Sequence, residues 1–256
     1  MNKKYTAITG ASSGIGYAAA KKFAARGKNL IVIARREELL RQLKDEILND
    51  HPGVDVVIKT ADLTNSTEVS ELYESLNQYD IETWINNAGF GSHDLIKDED
   101  IQRVQDLLHL NVEALTILSI RFVQDHYDDE GAQLINVSSV AGYEMIPSAV
   151  IYCASKFYVS AFTENLAFEL KEKDAKVRAK VLAPAATQTE FGKIANNVNE
   201  YDYDQAFKKY HTSDEMADFM LKLYDSDEMV GSVTLENYSF QLSGNRFPYS
   251  VRSSSC

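Results

Sequence analysis

Two cysteines in 256 residues, Cys153 and Cys256, are too few for a disulfide framework and lack metal-ligand spacing. Both are expected to be reduced bystanders, and no metal is expected. Long apolar runs are also missing. The first, after Lys3 and Lys4, stops at Thr9, and no stretch approaches the ~20 apolar residues of a membrane span. No signal-peptide pattern is seen, so a soluble, cytoplasmic protein without a membrane partner is expected. Basic residues are outnumbered: 26 Lys and Arg against 38 Asp and Glu leave a formal charge of -12. That balance argues against general nucleic-acid binding and leaves room only for a local basic pocket around an anionic ligand. Repeats and linker-like stretches are absent, apart from a frayed tail at Ser253-Ser254-Ser255. With 45% hydrophobic and 25% charged residues the chain can bury one sizeable core, so one domain over residues 1–256 is expected.

What is present begins at Lys4. A short apolar run, Tyr5 to Thr9, leads into Gly10-Ala11-Ser12-Ser13-Gly14-Ile15-Gly16; Ala18, Ala19, Phe23 and Ala24 then recur at helical spacing before a second apolar run ending Ala34-Arg35-Arg36. This reads as strand, glycine-rich turn, helix, strand. Glycines there let the chain bend sharply and let a phosphate approach closely, while the N–H groups and dipole of the helix start hold the anion.

The rhythm continues. Leu39, Leu40, Leu43 and Ile47 mark a helix that ends near His51-Pro52-Gly53, and Val56-Val57-Ile58 is a third strand. Capping residues Thr64 to Thr67 precede a helix facing inward through Val69, Leu72, Tyr73 and Leu76. Thr83 to Asn86 is a fourth strand, residues 98–127 are two helices in near succession, and Leu134 to Val137 is a fifth strand. A helix over 149–171 and a strand from Val177 to Leu182, stopped by Pro184, follow. Thr212-Ser213-Asp214-Glu215 is a capping box opening a scaffold helix. Such alternation means parallel crossover units and a doubly wound parallel α/β sheet, the Rossmann architecture, with ligands beyond the carboxyl ends of its strands. Residues 190–210 set Phe191, Ile194, Val198, Tyr201, Tyr203, Phe207 and Tyr210 among polar neighbours. Two readings stay open: a surface excursion packing its own aromatics, or a mobile lid over a substrate pocket.

In dinucleotide folds an acidic residue about 20 positions beyond the glycine turn accepts from the adenosine ribose 2′-hydroxyl. The second strand here ends without a carboxylate, and a guanidinium at that point makes paired hydrogen bonds to a 2′-phosphate. NADP is therefore favoured over NAD, with Arg35 the first candidate and Arg36 the second. Asp62, in Ala61-Asp62-Leu63, either caps a turn or accepts from the adenine amine. Asn86-Asn87-Ala88-Gly89 closes the fourth strand with residues small enough for close approach.

The chemistry-bearing stretch is Tyr152-Cys153-Ala154-Ser155-Lys156, whose spacing puts phenol and ammonium on one helical face. A phenol near pKa 10 becomes a usable acid or base once a neighbouring cation lowers that value. Ser139 lies 13 residues before Tyr152, just after the fifth strand, where its hydroxyl can meet the same carbonyl oxygen. Asn111 sits in an apolar helical stretch, and a buried amide there must be hydrogen-bonded.

Taken in order, Thr9-Gly10-x-x-x-Gly14-x-Gly16, Asn86-Asn87-Ala88-Gly89, Asn111, Ser139 and Tyr152-x-x-x-Lys156 resemble the signature of the short-chain dehydrogenase/reductase family, in its compact single-domain branch. The resemblance implies that Tyr152 exchanges a proton with the substrate oxygen, that Lys156 lowers the Tyr152 pKa and holds the nicotinamide ribose, that Ser139 polarises the carbonyl, and that Asn111 anchors a proton-relaying water. It also implies cofactor contacts by Gly10, Ser12, Ser13, Gly14, Ile15, Gly16, Arg35, Arg36, Asp62, Leu63, Asn87, Ala88 and Gly89, and by Pro184, Thr187 and Thr189. Two departures stand out. Pro184-Ala185-Ala186-Thr187 puts a methyl where the family usually has glycine, and beyond Gly231 the usual ending is replaced by Tyr238-Ser239-Phe240-Gln241-Leu242. The expected activity is NADP(H)-dependent reduction of a carbonyl, or the reverse oxidation of an alcohol, on an uncharged or lightly charged small molecule. A non-catalytic NADP-binding regulator and a carbon–carbon double-bond reductase are the rivals, and the intact Ser139, Tyr152 and Lys156 speak against both. A homodimer or homotetramer through the 98–127 and 149–171 helices is expected.

Overall fold

The computed structural model describes residues 3–248; the 253–255 serines and Cys256 lie outside the described residues. In chain order the elements are β1 (Lys4–Thr9), α1 (Gly14–Ala25), β2 (Asn29–Ala34), α2 (Glu37–Asp50), β3 (Val56–Thr60), α3 (Ser66–Glu74), β4 (Asp80–Asn86), α4 (Ile101–Leu108), α5 (Leu115–His126), β5 (Gln133–Val137), α6 (Val150–Glu172) and β6 (Arg178–Ala183). There follow β7 (Thr187–Gln188), α7 (Phe191–Ala195), α8 (Tyr203–Ala206), β8 (His211–Thr212), α9 (Ser213–Asp225), β9 (Val230–Val233) and β10 (Phe240–Ser243). The main sheet has the order β10-β9-β6-β5-β4-β1-β2-β3 and is parallel except for β10, which runs antiparallel to β9. It is the expected doubly wound sheet with helices on both faces, in one domain.

Strands buried on both faces explain the unbroken apolar runs. Along β1 and β2, Ile8, Leu30 and Val32 pack toward α1, α2 and α9, whereas Ala7, Ile31 and Ile33 pack toward α3, α5 and α6. The Thr212 capping box is present, with Thr212 and Glu215 exchanging bonds at the start of α9.

Three features add to the expected architecture. The 98–127 segment holds the two expected helices in near succession, α4 running into α5 through a π turn, His109–Ala114, which keeps the backbone helical while shifting its phase. Around Gly231 the chain adds β9 as a seventh parallel strand, and β10 then covers its free edge. Phe240 carries that packing, stacked 4.5 Å from Phe219. Residues 187–188 and 211–212 form a second, two-stranded sheet that brackets the 190–210 excursion. No helix among the described residues is long and apolar enough to cross a membrane.

Candidate active site

The carboxyl ends of β1, β2, β4, β5 and β6 open onto a cavity of about 480 Å³. It is built first by sewing two loops together. Thr9 Oγ1, at the end of β1, accepts from the N–H groups of Asn87 and Ala88, both at 3.0 Å. The Asn87 amide donates back to Thr9 O at 2.9 Å. Gly10 turns the chain with φ +68°, and a Cβ there would meet Ala88 Cα at 2.8 Å, so only glycine lets the two loops close.

All residues expected at the cofactor line this cavity except Gly16, which packs the turn against Asn87 instead. Asp62 takes the turn-capping role, its carboxylate accepting from Thr64 N at 3.0 Å and Thr64 Oγ1 at 2.9 Å while it borders the cavity. Of the two arginines, Arg36 rather than Arg35 is bonded to the turn, donating to Ser12 Oγ at 3.2 Å and Ser13 Oγ at 3.0 Å. Ala185 has no positive φ, so the methyl is carried without strain, and Pro184 O accepts from Val140 N at 2.9 Å. Thr187 donates to Ala185 O at 2.9 Å, and Thr189 accepts from Phe191 N at 3.0 Å.

At the other end stand Ser139, Tyr152 and Lys156, all buried. Ser139 caps a single 3₁₀ turn, Val140–Gly142, accepting from Ala141 N at 3.1 Å, which fixes its hydroxyl beside the Tyr152 phenol. The Lys156 ammonium lies 5.9 Å from the centre of the Tyr152 ring and donates to Val137 O at 2.9 Å. Asn111, in the π turn, does not line the cavity. It sits behind Gly89, donating to Phe90 O at 2.9 Å and Ser155 Oγ at 3.2 Å and accepting from Phe90 N at 3.2 Å.

Burial dominates the electrostatics here. It pushes the Tyr152 phenol up to about 12, against a smaller opposite pull from its Ser139 hydrogen bond. It pushes the Lys156 amine down to about 8. The expected depression of Tyr152 by Lys156 is therefore not produced by the chain's own groups, and the phenol stays protonated at neutral pH.

Sequence reading missed part of the wall. Phe90, His93, Leu235, Tyr238 and Glu190 also line the cavity, and Phe191 packs 5.4 Å from the Tyr152 ring. Of these, Phe90 directly follows the Asn86-Asn87-Ala88-Gly89 motif, His93 stands four residues past Gly89, and Glu190 and Tyr238 open stretches singled out in the sequence. In the 190–210 excursion the aromatics pack on one another and also border the cavity. Tyr203 packs on Tyr201, Phe207 and Tyr210, and Tyr201, Tyr203 and Phe207 also face the cavity.

Comparison with known proteins follows this geometry. The family model described as short chain dehydrogenase matches residues 4–199. Human dehydrogenase/reductase SDR family member 11 is 28% identical over 211 residues, covering 79% of each chain. Among solved structures, a short-chain dehydrogenase from Sphingobium yanoikuyae in complex with NADPH superposes with a TM-score of 0.80 at 30% identity, covering 91% of this chain and 89% of that one. A bulky-bulky ketone specific alcohol dehydrogenase from Comamonas testosteroni gives 0.75 at 29%, covering 91% and 86%.

Proposed function

The chain belongs to the short-chain dehydrogenase/reductase family of oxidoreductases, and on that premise we propose that it transfers a hydride between NADPH and a ketone or aldehyde, or the matching alcohol. The observation that carries the reading is the convergence of Ser139, Tyr152 and Lys156 at one end of a cavity whose other end is the Gly10–Gly16 turn with Arg36. Donors at the turn fit a dinucleotide phosphate, and the tight contact of Gly10 with Ala88 fits a backbone built for close approach.

NADPH would supply the hydride; the chain supplies position and a proton. Arg36, Ser12 and Ser13 would hold the cofactor's phosphate, Asp62 and Leu63 would border its adenine, and Asn87, Ala88 and Gly89 would allow its close approach, with Pro184, Thr187 and Thr189 on the nicotinamide side. Ser139 orients the carbonyl oxygen. Tyr152 gives that oxygen its proton, a role suited to a phenol kept neutral by burial. Lys156 holds the ribose and stabilises the phenolate left behind, and Asn111, fixed on Phe90, orders the polar path to Lys156. The 190–210 segment is read as a lid, since Phe191 lies against Tyr152.

The substrate is an uncharged, bulky carbonyl compound, because Phe90, Ile146, Phe191, Tyr201, Tyr203 and Phe207 wall its side of the cavity. The ketone specificity of the Comamonas enzyme supports that class. The protein is read as cytoplasmic and as a homodimer or homotetramer through α4, α5 and α6, whose Ile101, Ile120 and Val150 are exposed. The test follows NADPH oxidation with a panel of ketones and aldehydes. Turnover that disappears in Tyr152→Phe while NADPH binding stays supports the reading. No turnover with any compound, together with unchanged NADPH binding in Tyr152→Phe, favours a non-catalytic NADP-binding regulator.

A further inference from the structure

A guanidinium and two hydroxyls meet at the start of α1, and a carboxylate closes the group. Arg36 Nη2 donates to Ser12 Oγ and Ser13 Oγ, and also to Glu190 Oε2 at 2.7 Å, while Nη1 reaches Glu190 Oε1 at 3.3 Å. This is a bidentate guanidinium–carboxylate pair joining residues 154 apart in sequence. Ser13 is the N-cap residue of α1, yet its side chain makes no cap bond. Its hydroxyl is turned instead toward Arg36 and Glu190. The Arg36 guanidinium holds the Glu190 carboxyl below the usual carboxylate range, with Ser13 helping and burial opposing.

The residue before Glu190 is also seated on the turn. A Cβ at Gly14 would lie 3.0 Å from Thr189 Cγ2, so Thr189 rests against the turn where a phosphate would approach. The far end of α7 is held elsewhere, by His93 N on Ala195 O at 3.0 Å and by Arg103 Nη2, which donates to Ile194 O and to Gly91 O at 3.2 Å. The start of α7 thus touches the turn, and its end is tied to the 91–93 loop.

A guanidinium beside two hydroxyls, which accept from it and keep their own protons free to donate, is what a phosphate monoester or diester needs, and in this structure the Glu190 carboxylate stands in that place. We propose that Glu190 is an internal occupant of the dinucleotide's phosphate seat, so that binding phosphate there displaces Glu190, and Glu190 thereby lowers the affinity of the site for its dinucleotide. A carboxylate and a phosphate cannot share these donors. The 2′-phosphate of NADPH and the pyrophosphate common to NADPH and NADH carry the same chemistry, and the two are separated by experiment. The proposal rests on the dinucleotide-binding reading above.

Dissociation constants of NADPH and NADH are measured by titration calorimetry for the wild type, Glu190→Gln and Asp204→Asn. Asp204 belongs to the same excursion and bonds Tyr210 rather than Arg36, so its variant removes one negative charge without touching the seat. Both members of the Arg36–Glu190 pair are close to half exposed, which limits the expected effect to roughly two- to five-fold. Tighter NADPH binding of that size in Glu190→Gln, with NADH unchanged, supports the proposal and assigns the seat to the 2′-phosphate. An equal gain for both dinucleotides supports it and assigns the seat to the pyrophosphate. Weaker NADPH binding in Glu190→Gln, or a change no larger than in Asp204→Asn, overturns it while leaving the dinucleotide reading standing. Binding of neither dinucleotide by the wild type overturns both.

Discussion

Asn111 and Lys156 face each other across the backbone of Gly89, where a Cβ would lie 3.0 Å from Asn111 Oδ1 and 3.5 Å from Lys156 Nζ. Close approach of the amide and the ammonium depends on that missing methyl. Gly89→Ala is expected to displace the Asn111 amide by a few tenths of an ångström and strain its two bonds to Phe90. Misplacement of that order lowers kcat by about tenfold. Steady-state kinetics alongside a melting curve check this, and a kcat equal to that of the wild type would remove Asn111 from the proposed relay.

Tyr152→Phe keeps the ring that packs on Phe191 and removes the hydroxyl proposed to give up the proton. The expected loss in kcat is about 10²–10⁴-fold. Because burial raises the phenol to about 12, it is protonated throughout the neutral and mildly alkaline range. Carbonyl reduction consumes that proton and is therefore expected to hold at neutral pH, whereas alcohol oxidation needs the phenolate and is expected to rise with pH. Opposite slopes for the two directions in a pH–rate series are the check. A rise in reduction between pH 7 and 9 would contradict the assignment.

The legible parts were those written locally. Apolar runs gave β1 to β6 to within a few residues, because a strand buried on both faces is built mostly of apolar residues. Tyr152 and Lys156 were found through helix spacing, and Ser139 through its place just past β5. Other features depend on contacts that no local pattern encodes. Arg35 and Arg36 are adjacent, and only the fold decides that the second lies over Ser12 and Ser13. Glu190 meets Arg36 because the chain after β6 crosses above the β1 turn. The π turn at Asn111 hides in an ordinary helical pattern, since one extra residue per turn shifts the phase without breaking the helix. β9 is only four residues long, and its apolar positions gain meaning once β6 lies beside them.

Glu164, buried in α6, accepts from the Tyr143 hydroxyl at 2.6 Å and from the N–H groups of Arg246 and Phe247 at 2.8 and 3.0 Å. Phe247 stacks 5.1 Å from Tyr143, so one carboxylate ties the loop after Ser139 to the C-terminal segment. Glu164→Ala leaves three donors unpaired at a cost of about 2–4 kcal/mol, and for a chain of this size each kcal/mol is worth roughly 2–4 °C in melting temperature. Glu164→Gln, which keeps acceptor capacity, is expected to lose less. Thermal melting of both variants is the measurement, and an unchanged Tm in Glu164→Ala would show that the tail is held without this carboxylate.

Two buried lysines give the last prediction, because the same substitution should act on them in opposite directions. Burial pushes both amines down, each to about 8, so burial by itself would make them equivalent. Their acceptors differ. Lys180 donates to three carbonyls at the end of α9, Leu223 O, Tyr224 O and Ser226 O, at 2.9, 3.0 and 2.6 Å. Lys156 has one, Val137 O. Lys180→Met strands the carbonyls of a helix C-terminus in the core and is expected to destabilise by about 2–4 kcal/mol. Lys156→Met removes a buried charge with little to satisfy it and is expected to stabilise by about 1–3 kcal/mol at pH 7 while abolishing turnover. The pH dependence carries the sign. Between pH 8 and the ordinary lysine value of 10.5 the unfolded chain binds the Lys156 proton and the folded chain does not, so the contribution of this group to stability rises through that window and is lost as pH falls through 8. Lys156→Met lacks that slope, so its advantage over the wild type should shrink as pH rises from 8 to 10. Lys180 titrates alike in both proteins and cancels from the difference. A gap that stays constant over that range would mean that Lys156 keeps its proton in the folded chain as it does in the unfolded one, so that burial does not push it down.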